Sequence, residues 1–179
     1  MPIVIRQMRN EDIRQVAEID QDNFPKMQPQ TNYKRELTNK LSYYIVACNV
    51  KSVNIKKSNI VIGVAGFWLM VAEAHIVNLA VKQVYHQKGI GELLLINILD
   101  LALEKNADLL TLEVRVSNNT AINLYQKYGF FKRGIRRGYY LDDQEDAVIM
   151  TTDNIKTRIF QNNLNILRKK HQQKWGNRA

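Results

Sequence analysis

The sequence predicts an α/β chain of the α+β type, organised on one mixed β-sheet. Strand-like segments follow one another with no helix between them over residues 43–81. A strand-helix-strand-helix-strand unit then fills the middle of the chain, and such a unit brings parallel pairing into the sheet. The length, 179 residues, fits one domain and suffices for a substantial core.

Taken in order, Ile3, Val4 and Ile5 form a short strand, and Asn10 is placed to cap a helix whose apolar positions Ile13, Val16 and Ile19 keep helical spacing. Pro25 and Pro29 interrupt that pattern. A second helix is expected over 33–40 and a strand, rich in aromatic and β-branched residues, over 43–48. The polar stretch 49–59, with Lys51, Lys56 and Lys57, reads as an elongated hairpin loop. Strands follow over 60–70 and 74–81 with a turn near Ala72 and Glu73; the first is too apolar to alternate and is expected to be central, buried on both faces. From Gly89 the period changes. Ile90, Leu93, Leu94, Ile98, Leu101 and Ala102 fall on one face of a helix ending near Asn106. Residues 109–116 return to strand and 118–128 to helix, with Gly129 where a helix C-terminal glycine belongs. Two more strands cover 130–139 and 147–152. Residues 1–150 form the domain, and 151–179 a basic, partly helical extension.

Hydrophobic residues make up 45% and charged residues 24% of the chain, which excludes a disordered scaffold. Of the net charge of +9, six units sit after Met150, on Lys156, Arg158, Arg168, Lys169, Lys170, Lys174 and Arg178 against Asp153. The body is therefore near neutral, and a fold dedicated to nucleic acid is disfavoured. Cys48, the sole cysteine, excludes an internal disulfide and any cysteine-built metal site, and favours a reducing, cytoplasmic location. The longest nearly unbroken apolar run, 60–72, falls short of a membrane span, and residues 1–10 lack a signal peptide's apolar core. No metal and no membrane are expected.

The most informative segment is His86-Gln87-Lys88-Gly89-Ile90-Gly91-Glu92. Two glycines at a helix start let backbone N–H groups approach an anion closely, and the helix dipole favours negative charge there, so the loop can cradle a pyrophosphate. Relief of crowding between helix and strand is an equal explanation for the glycine pair alone. A dinucleotide fingerprint would need a third glycine where Leu94 stands, and no Gly-Lys-Ser or Gly-Lys-Thr is present for a P-loop. Glu113 lies mid-strand on one face with Thr111 and Arg115, either a general base or a salt-bridged strand residue. Asn118 is a helix cap, and Tyr125 lies seven residues on, on the same helical face. Cys48 is expected to pack rather than react. His75 and His171 have no partner identifiable from sequence.

Beyond those features, Val77-Asn78-Leu79-Ala80-Val81, the loop at 86–91, Leu112-Glu113-Val114-Arg115, Ser117-Asn118, Ala121-Ile122-Asn123-Leu124-Tyr125 and Gly129-Phe130 resemble the GNAT superfamily of acetyl-CoA-dependent N-acetyltransferases. Ile135-Arg136-Arg137-Gly138-Tyr139-Tyr140 and Glu145-Asp146-Ala147 are similar to the bacterial members that acetylate the N-terminal alanine of a ribosomal protein. The resemblance is strong over 76–150, weaker before Val61 apart from Phe24-Pro25, and absent in the tail. It implies a mostly antiparallel central sheet with helices on both faces and acetyl-CoA as cosubstrate. It implies that Leu79, Ala80 and Val81 offer strand backbone groups to the pantetheine arm and acetyl carbonyl, that Gln87, Lys88, Gly89, Ile90, Gly91 and Glu92 hold the pyrophosphate, and that Asn118 contacts the cofactor. Glu113 would be the proton acceptor and Tyr125 the proton donor; Phe24, Pro25, Tyr139 and Tyr140 would frame the incoming peptide N-terminus. His86 departs from the usual Gln or Arg, and the 49–59 insertion and basic tail depart further. A protein N-terminus, of a ribosomal protein, is the expected acceptor. A lysine or small amine as acceptor, or a non-catalytic ribosome- or RNA-binding adaptor acting through the tail, are the alternatives.

Overall fold

The computed structural model describes residues 3–24, 30–50 and 59–176; Pro25, Pro29, Arg178 and the three lysines of the 49–59 insertion lie outside them. Seven strands form one sheet in the order β1-β2-β3-β4-β5-β7-β6. They are β1 (Ile3–Gln7), β2 (Ser42–Val50), β3 (Asn59–Met70), β4 (Glu73–Val81), β5 (Leu109–Arg115), β6 (Phe130–Tyr140) and β7 (Glu145–Thr152). Only β4 and β5 pair in parallel; the other neighbours are antiparallel. The central strand β3 buries Val61, Ile62, Val64, Ala65 and Phe67 completely, successive residues on opposite faces.

Helix α1 (Ile13–Asn23) and the single turn α2 (Tyr33–Glu36) cover one face, while α3 (Ile90–Glu104), α4 (Asn119–Lys127) and α5 (Arg158–Trp175) lie on the other. Each face has its own apolar cluster: Val16, Ile19, Tyr33, Val46 and Val64 under α1, and Phe67, Leu94, Ile98, Leu112 and Met150 under α3. Two local expectations change. Asn10 opens a short 3-10 turn and caps nothing; the side chain of Asp12 instead accepts from the Arg9 N–H at 2.8 Å and from Arg6 at 2.7 and 2.8 Å. The helix expected over 33–40 stops at Glu36, because four residues close one turn, capped by Asn32 accepting from the Arg35 N–H, before the chain must reach β2.

The extension after Thr152 is not separate from this core. Ile155 and Leu164 are buried in the α3-side cluster, and Arg168 on α5 donates to Asp100 on α3 at 2.5 Å.

Candidate active site

The parallel ladder between β4 and β5 is short. It runs from the Glu73↔Leu109 pair to the Ile76↔Leu112 pair and stops, although both strands continue. Val77 is an extra residue in β4, since Phe67 pairs with Ile76 while Gly66 pairs with Asn78. Such a bulge bends its strand, and beyond it β4 stays with β3 while β5 stays with β7. A fork opens through the sheet.

Register then decides which backbone groups face the fork. The Lys82 N–H donates to the Ile62 carbonyl, so alternate residues of β4, including Ala80 opposite Val64, exchange bonds with β3. Leu79 and Val81 turn their N–H and C=O the other way, into the gap. Ala80, expected to share this task, is engaged with β3 instead. The Val81 carbonyl accepts from Asn23 Nδ2 at 3.1 Å and lies 2.7 Å from His86 Nε2; His86 thus closes the end of β4, leaving the Val81 N–H toward the fork.

Gly91 sits beside that strand end: a β-carbon on it would meet Leu79 and Val81 side chains at 3.8 and 3.9 Å. The loop before α3 is wound by Gln87 and Gly89, with φ of 56° and 75°, left-handed conformations that aim backbone N–H groups toward a common side. The Leu93 N–H makes the first helical bond, to Gly89, so helix geometry leaves Ile90, Gly91 and Glu92 N–H groups without intrahelical acceptors. Lys88 Nζ donates to the Val84 carbonyl at 2.8 Å. The Glu92 carboxylate accepts from Lys127 at 2.5 Å and from the Tyr128 hydroxyl at 2.7 Å, which hold its carboxyl below the usual range against the opposing effect of burial. Asn118 accepts from the Ala121 N–H at 3.1 Å, as a cap does.

The opposite face of the fork carries Glu113. Alternation along β5 puts Leu110, Leu112 and Val114 in the α3-side core, hence Thr111, Glu113 and Arg115 on the α1 side. Glu113 is 6% exposed at its side chain and lies 2.9 Å from His75 Nε2 and 3.3 Å from Arg136 Nη1. The hydrogen bond from His75, opposed by burial and assisted by the His75 and Arg136 charges, holds this carboxyl below its ordinary value. His75 Nδ1 is 2.9 Å from the Thr111 hydroxyl, which donates to Glu73 at 2.7 Å. His75 thus bridges Thr111 and Glu113 through its two ring nitrogens. Sequence reading found no partner for it because only the β4–β5 register places His75 beside Thr111.

Tyr125 approaches from the α4 side, packed at 5.5 Å on Phe130, and burial pushes its phenol well above the ordinary value, with a smaller contribution from Tyr140. Tyr139 and Tyr140, at the end of β6, stand edge to face at 5.2 Å. Burial raises both phenols, that of Tyr140 to about 12, and each also feels the charge of Glu113. The sequence marks Arg115 only as a same-face neighbour of Glu113. Its guanidinium lies 3.9 Å over the Tyr140 ring and donates to Asp142, Asp143 and Glu145 at 2.8–2.9 Å, tying the β6–β7 turn to β5. Phe24, 39% exposed, edges a crevice shared with Ala17, Asp20, Gln21 and Tyr33; Pro25 lies outside the described residues. Cys48 is fully buried in β2.

Residues 13–130 match the acetyltransferase (GNAT) family model. A Bacillus subtilis protein provisionally named a [ribosomal protein bS18]-alanine N-acetyltransferase is 39% identical over 82% of this chain and 92% of its own. The chain belongs to the GNAT acetyltransferase family. An N-alpha-acetyltransferase of Saccharolobus solfataricus is 32% identical over 82% of this chain and 90% of its own. The crystal structure of the ribosomal-protein-S18-alanine N-acetyltransferase from Escherichia coli superposes with a TM-score of 0.68 at 27% identity, covering 85% of this chain and 94% of that one. The mixed, mostly antiparallel sheet flanked by helices is the GNAT fold, and the enzyme class it brings is acetyl-CoA-dependent acyl transfer. The residues present fit that cosubstrate: unpaired N–H groups at the start of α3, a glycine abutting β4, and a strand edge open in the fork. Among the described residues no cluster of three or more His, Cys, Asp or Glu could hold a metal, and no helix is long and apolar enough to cross a membrane.

Proposed function

We propose that this GNAT acetyltransferase is a protein N-terminal acetyltransferase that moves the acetyl group of acetyl-CoA to the α-amine of a ribosomal protein in the cytoplasm. The fork carries this assignment. It connects the anion cradle on the α3 face with Glu113 on the α1 face, so that a thioester reaching through from one side meets an amine arriving from the other. The similarity to the Bacillus subtilis and Escherichia coli proteins, whose names specify alanine N-acetylation of ribosomal protein bS18, supports the acceptor class.

Glu113 takes the proton that the ammonium must lose, directly or through one water, as the amine nitrogen attacks the carbonyl carbon. The Val81 N–H is the donor placed for the developing oxyanion. Tyr125 offers its hydroxyl to the departing sulfur as the C–S bond breaks. Burial keeps that phenol protonated but makes full transfer ahead of cleavage unfavourable: even at ordinary values of near 10 for tyrosine and 8.5 for a thiol the step is uphill by roughly 2 kcal/mol. Tyr125 therefore acts in concert with cleavage, chiefly as a hydrogen-bond donor. Gln87 to Glu92 hold the pyrophosphate through the main chain, Asn118 contacts the cofactor, and Phe24, Tyr139 and Tyr140 frame the acceptor.

A carboxylate held ionised by His75 is a weak base, and this favours an α-amine over a lysine. Their free pKa values, near 7.7–8.0 and 10.4, differ by about 2.5 units, or roughly 3.5 kcal/mol of extra deprotonation cost for lysine. Acetyl transfer to peptides beginning with Ala or Ser, located by mass spectrometry, tests the assignment; equal modification of internal lysines on N-terminally blocked peptides would overturn it. Lys169, Lys170 and Lys174, exposed on α5, are the groups that would meet ribosomal RNA.

A further inference from the structure

The last two turns of α5 lie on the loop that leads into α3. His171, 8% exposed, places Nε2 at 2.9 Å from the Gly89 carbonyl oxygen. A β-carbon built on Gly89 would fall 2.5 Å from Trp175 Nε1, so the indole occupies the space over that glycine. The helix reaches this point because it is anchored upstream: Phe160 sits against Gly129, Leu164 is in the core, and Arg168 bridges to Asp100. All of these α5 residues lie beyond the segment matched by the family model, which ends at residue 130.

The Gly89 carbonyl belongs to the same rigid peptide plane as the Ile90 N–H. It receives two bonds, one from the Leu93 N–H at 3.0 Å and one from His171. Fixing that carbonyl fixes the opposite direction of the Ile90 N–H, one of the donors left open at the start of α3. Gly89, at φ 75°, has no side chain of its own to restrain this plane, and Trp175 closes the side on which it could swing.

We propose that α5 is part of the acetyl-CoA site, with His171 and Trp175 as positioning residues that hold the Gly89–Ile90 peptide in the orientation a pyrophosphate requires. This rests on the cradle reading above. Without the restraint the loop samples other orientations, and affinity falls in proportion to the competent fraction. A loop competent one tenth of the time binds about tenfold more weakly.

The test uses the full chain, titrated calorimetrically with CoA and assayed with acetyl-CoA and peptide. His171→Leu and Trp175→Ala should each raise the CoA Kd and the acetyl-CoA KM about tenfold, leaving kcat at saturation and the peptide KM unchanged. His171→Gln, whose Nε2 can donate to the same carbonyl, should restore most of the affinity. Lys170→Ala, an exposed change on α5 that spares both its anchors and the loop, should bind CoA normally, and the melting temperature of each variant reads any general loss of stability. Wild-type CoA affinity in both the His171→Leu and Trp175→Ala variants overturns the proposal, as does a loss in His171→Leu that His171→Gln does not repair. Gly91→Asp separates the underlying reading: it should abolish CoA binding, and unchanged binding would remove the cradle itself.

Discussion

Replacing Glu113 with Gln removes the proposed base while keeping the shape of the side chain. An amide at this position can still accept from His75 or Arg136, which now lie 2.9 and 3.3 Å from the carboxylate, but it cannot take a proton. General-base contributions of about 10²–10⁴ correspond to roughly 3–5 kcal/mol of barrier, and turnover at pH 7 should fall within that range with CoA binding intact. The pH profile is more diagnostic. Glu113 is held below the ordinary carboxylate range, so wild-type activity should show no carboxylate limb above pH 5 and, because the base takes the ammonium's proton within the site, should rise less steeply than the neutral fraction of the free amine, which grows about six- to tenfold between pH 7 and pH 9. The Gln variant depends on amines already neutral, and its deficit should shrink by up to that factor. A folded-state pKa below the unfolded value also means that the carboxylate stabilises the fold above its unfolded pKa, and that this contribution is lost as pH falls through the folded pKa. Glu113→Gln should therefore lower the melting temperature at pH 7 and have less effect near pH 3. Steady-state assays across pH 6–9 check the kinetics; activity within twofold of wild type at pH 7 would show that solvent or another group takes the proton.

Tyr125→Phe should lower kcat by about tenfold to a hundredfold with little change in either KM, measured at saturation, because a buried phenol that contributes only a hydrogen bond to sulfur accounts for roughly 1.5–3 kcal/mol. Tyr139→Phe or Tyr140→Phe should raise the peptide KM several-fold and leave the acetyl-CoA KM nearly unchanged, the pattern of lost ground-state peptide contacts. Reversing the exposed charges with Lys169→Glu and Lys170→Glu together should leave peptide acetylation intact and weaken ribosome co-sedimentation in a salt-dependent way. Charge reversal is the proper probe of the tail, since cutting after Thr152 would strip Ile155 and Leu164 from the core.

Most of the fold could be read from the chain because its signals are local. The apolar run at 60–70 needs burial on both faces wherever it pairs, and Gly129 with φ 85° ends α4 where a left-handed glycine was expected. Local backbone features of the candidate site, such as the glycines at the start of α3 and the Asn118 cap, were equally accessible. What escaped depends on register across strands distant in sequence. His75 meets Glu113 only because β4 and β5 are parallel with His75 opposite Thr111, and Ala80 turns away from the fork only because its partner is Val64. The docking of α5 had one sequence trace. Helix α3 buries Leu95, Ile96 and Leu99 in addition to the single stripe that a helix on one sheet face requires.

Arg115 tests whether the β6–β7 turn is a device for holding the acceptor. Its guanidinium donates to Asp142, Asp143 and Glu145 at once and lies against the Tyr140 ring. Without that cation three carboxylates crowd one turn, and their repulsion drives it open just where Tyr139 and Tyr140 are attached. Contacts of Arg with a carboxylate fork and an aromatic face are not reproduced by a point charge, so Arg115→Lys should fall between wild type and Arg115→Ala. Loss of one or two kcal/mol lowers the ordered-to-open ratio of the loop by roughly five- to thirtyfold, which for a loop evenly balanced beforehand lowers the ordered population about three- to fifteenfold, and the peptide KM should rise by about that factor. The acetyl-CoA KM should not follow, because the cradle is formed by other elements. High salt should partly restore the Ala variant by screening the exposed carboxylates. Single changes at Asp142 or Asp143 should be mild, since the remaining acids keep the guanidinium in place. Steady-state kinetics with both substrates varied decides the matter: an unchanged peptide KM in Arg115→Ala, or an equal rise for both substrates, would mean that the turn plays no part in seating the acceptor.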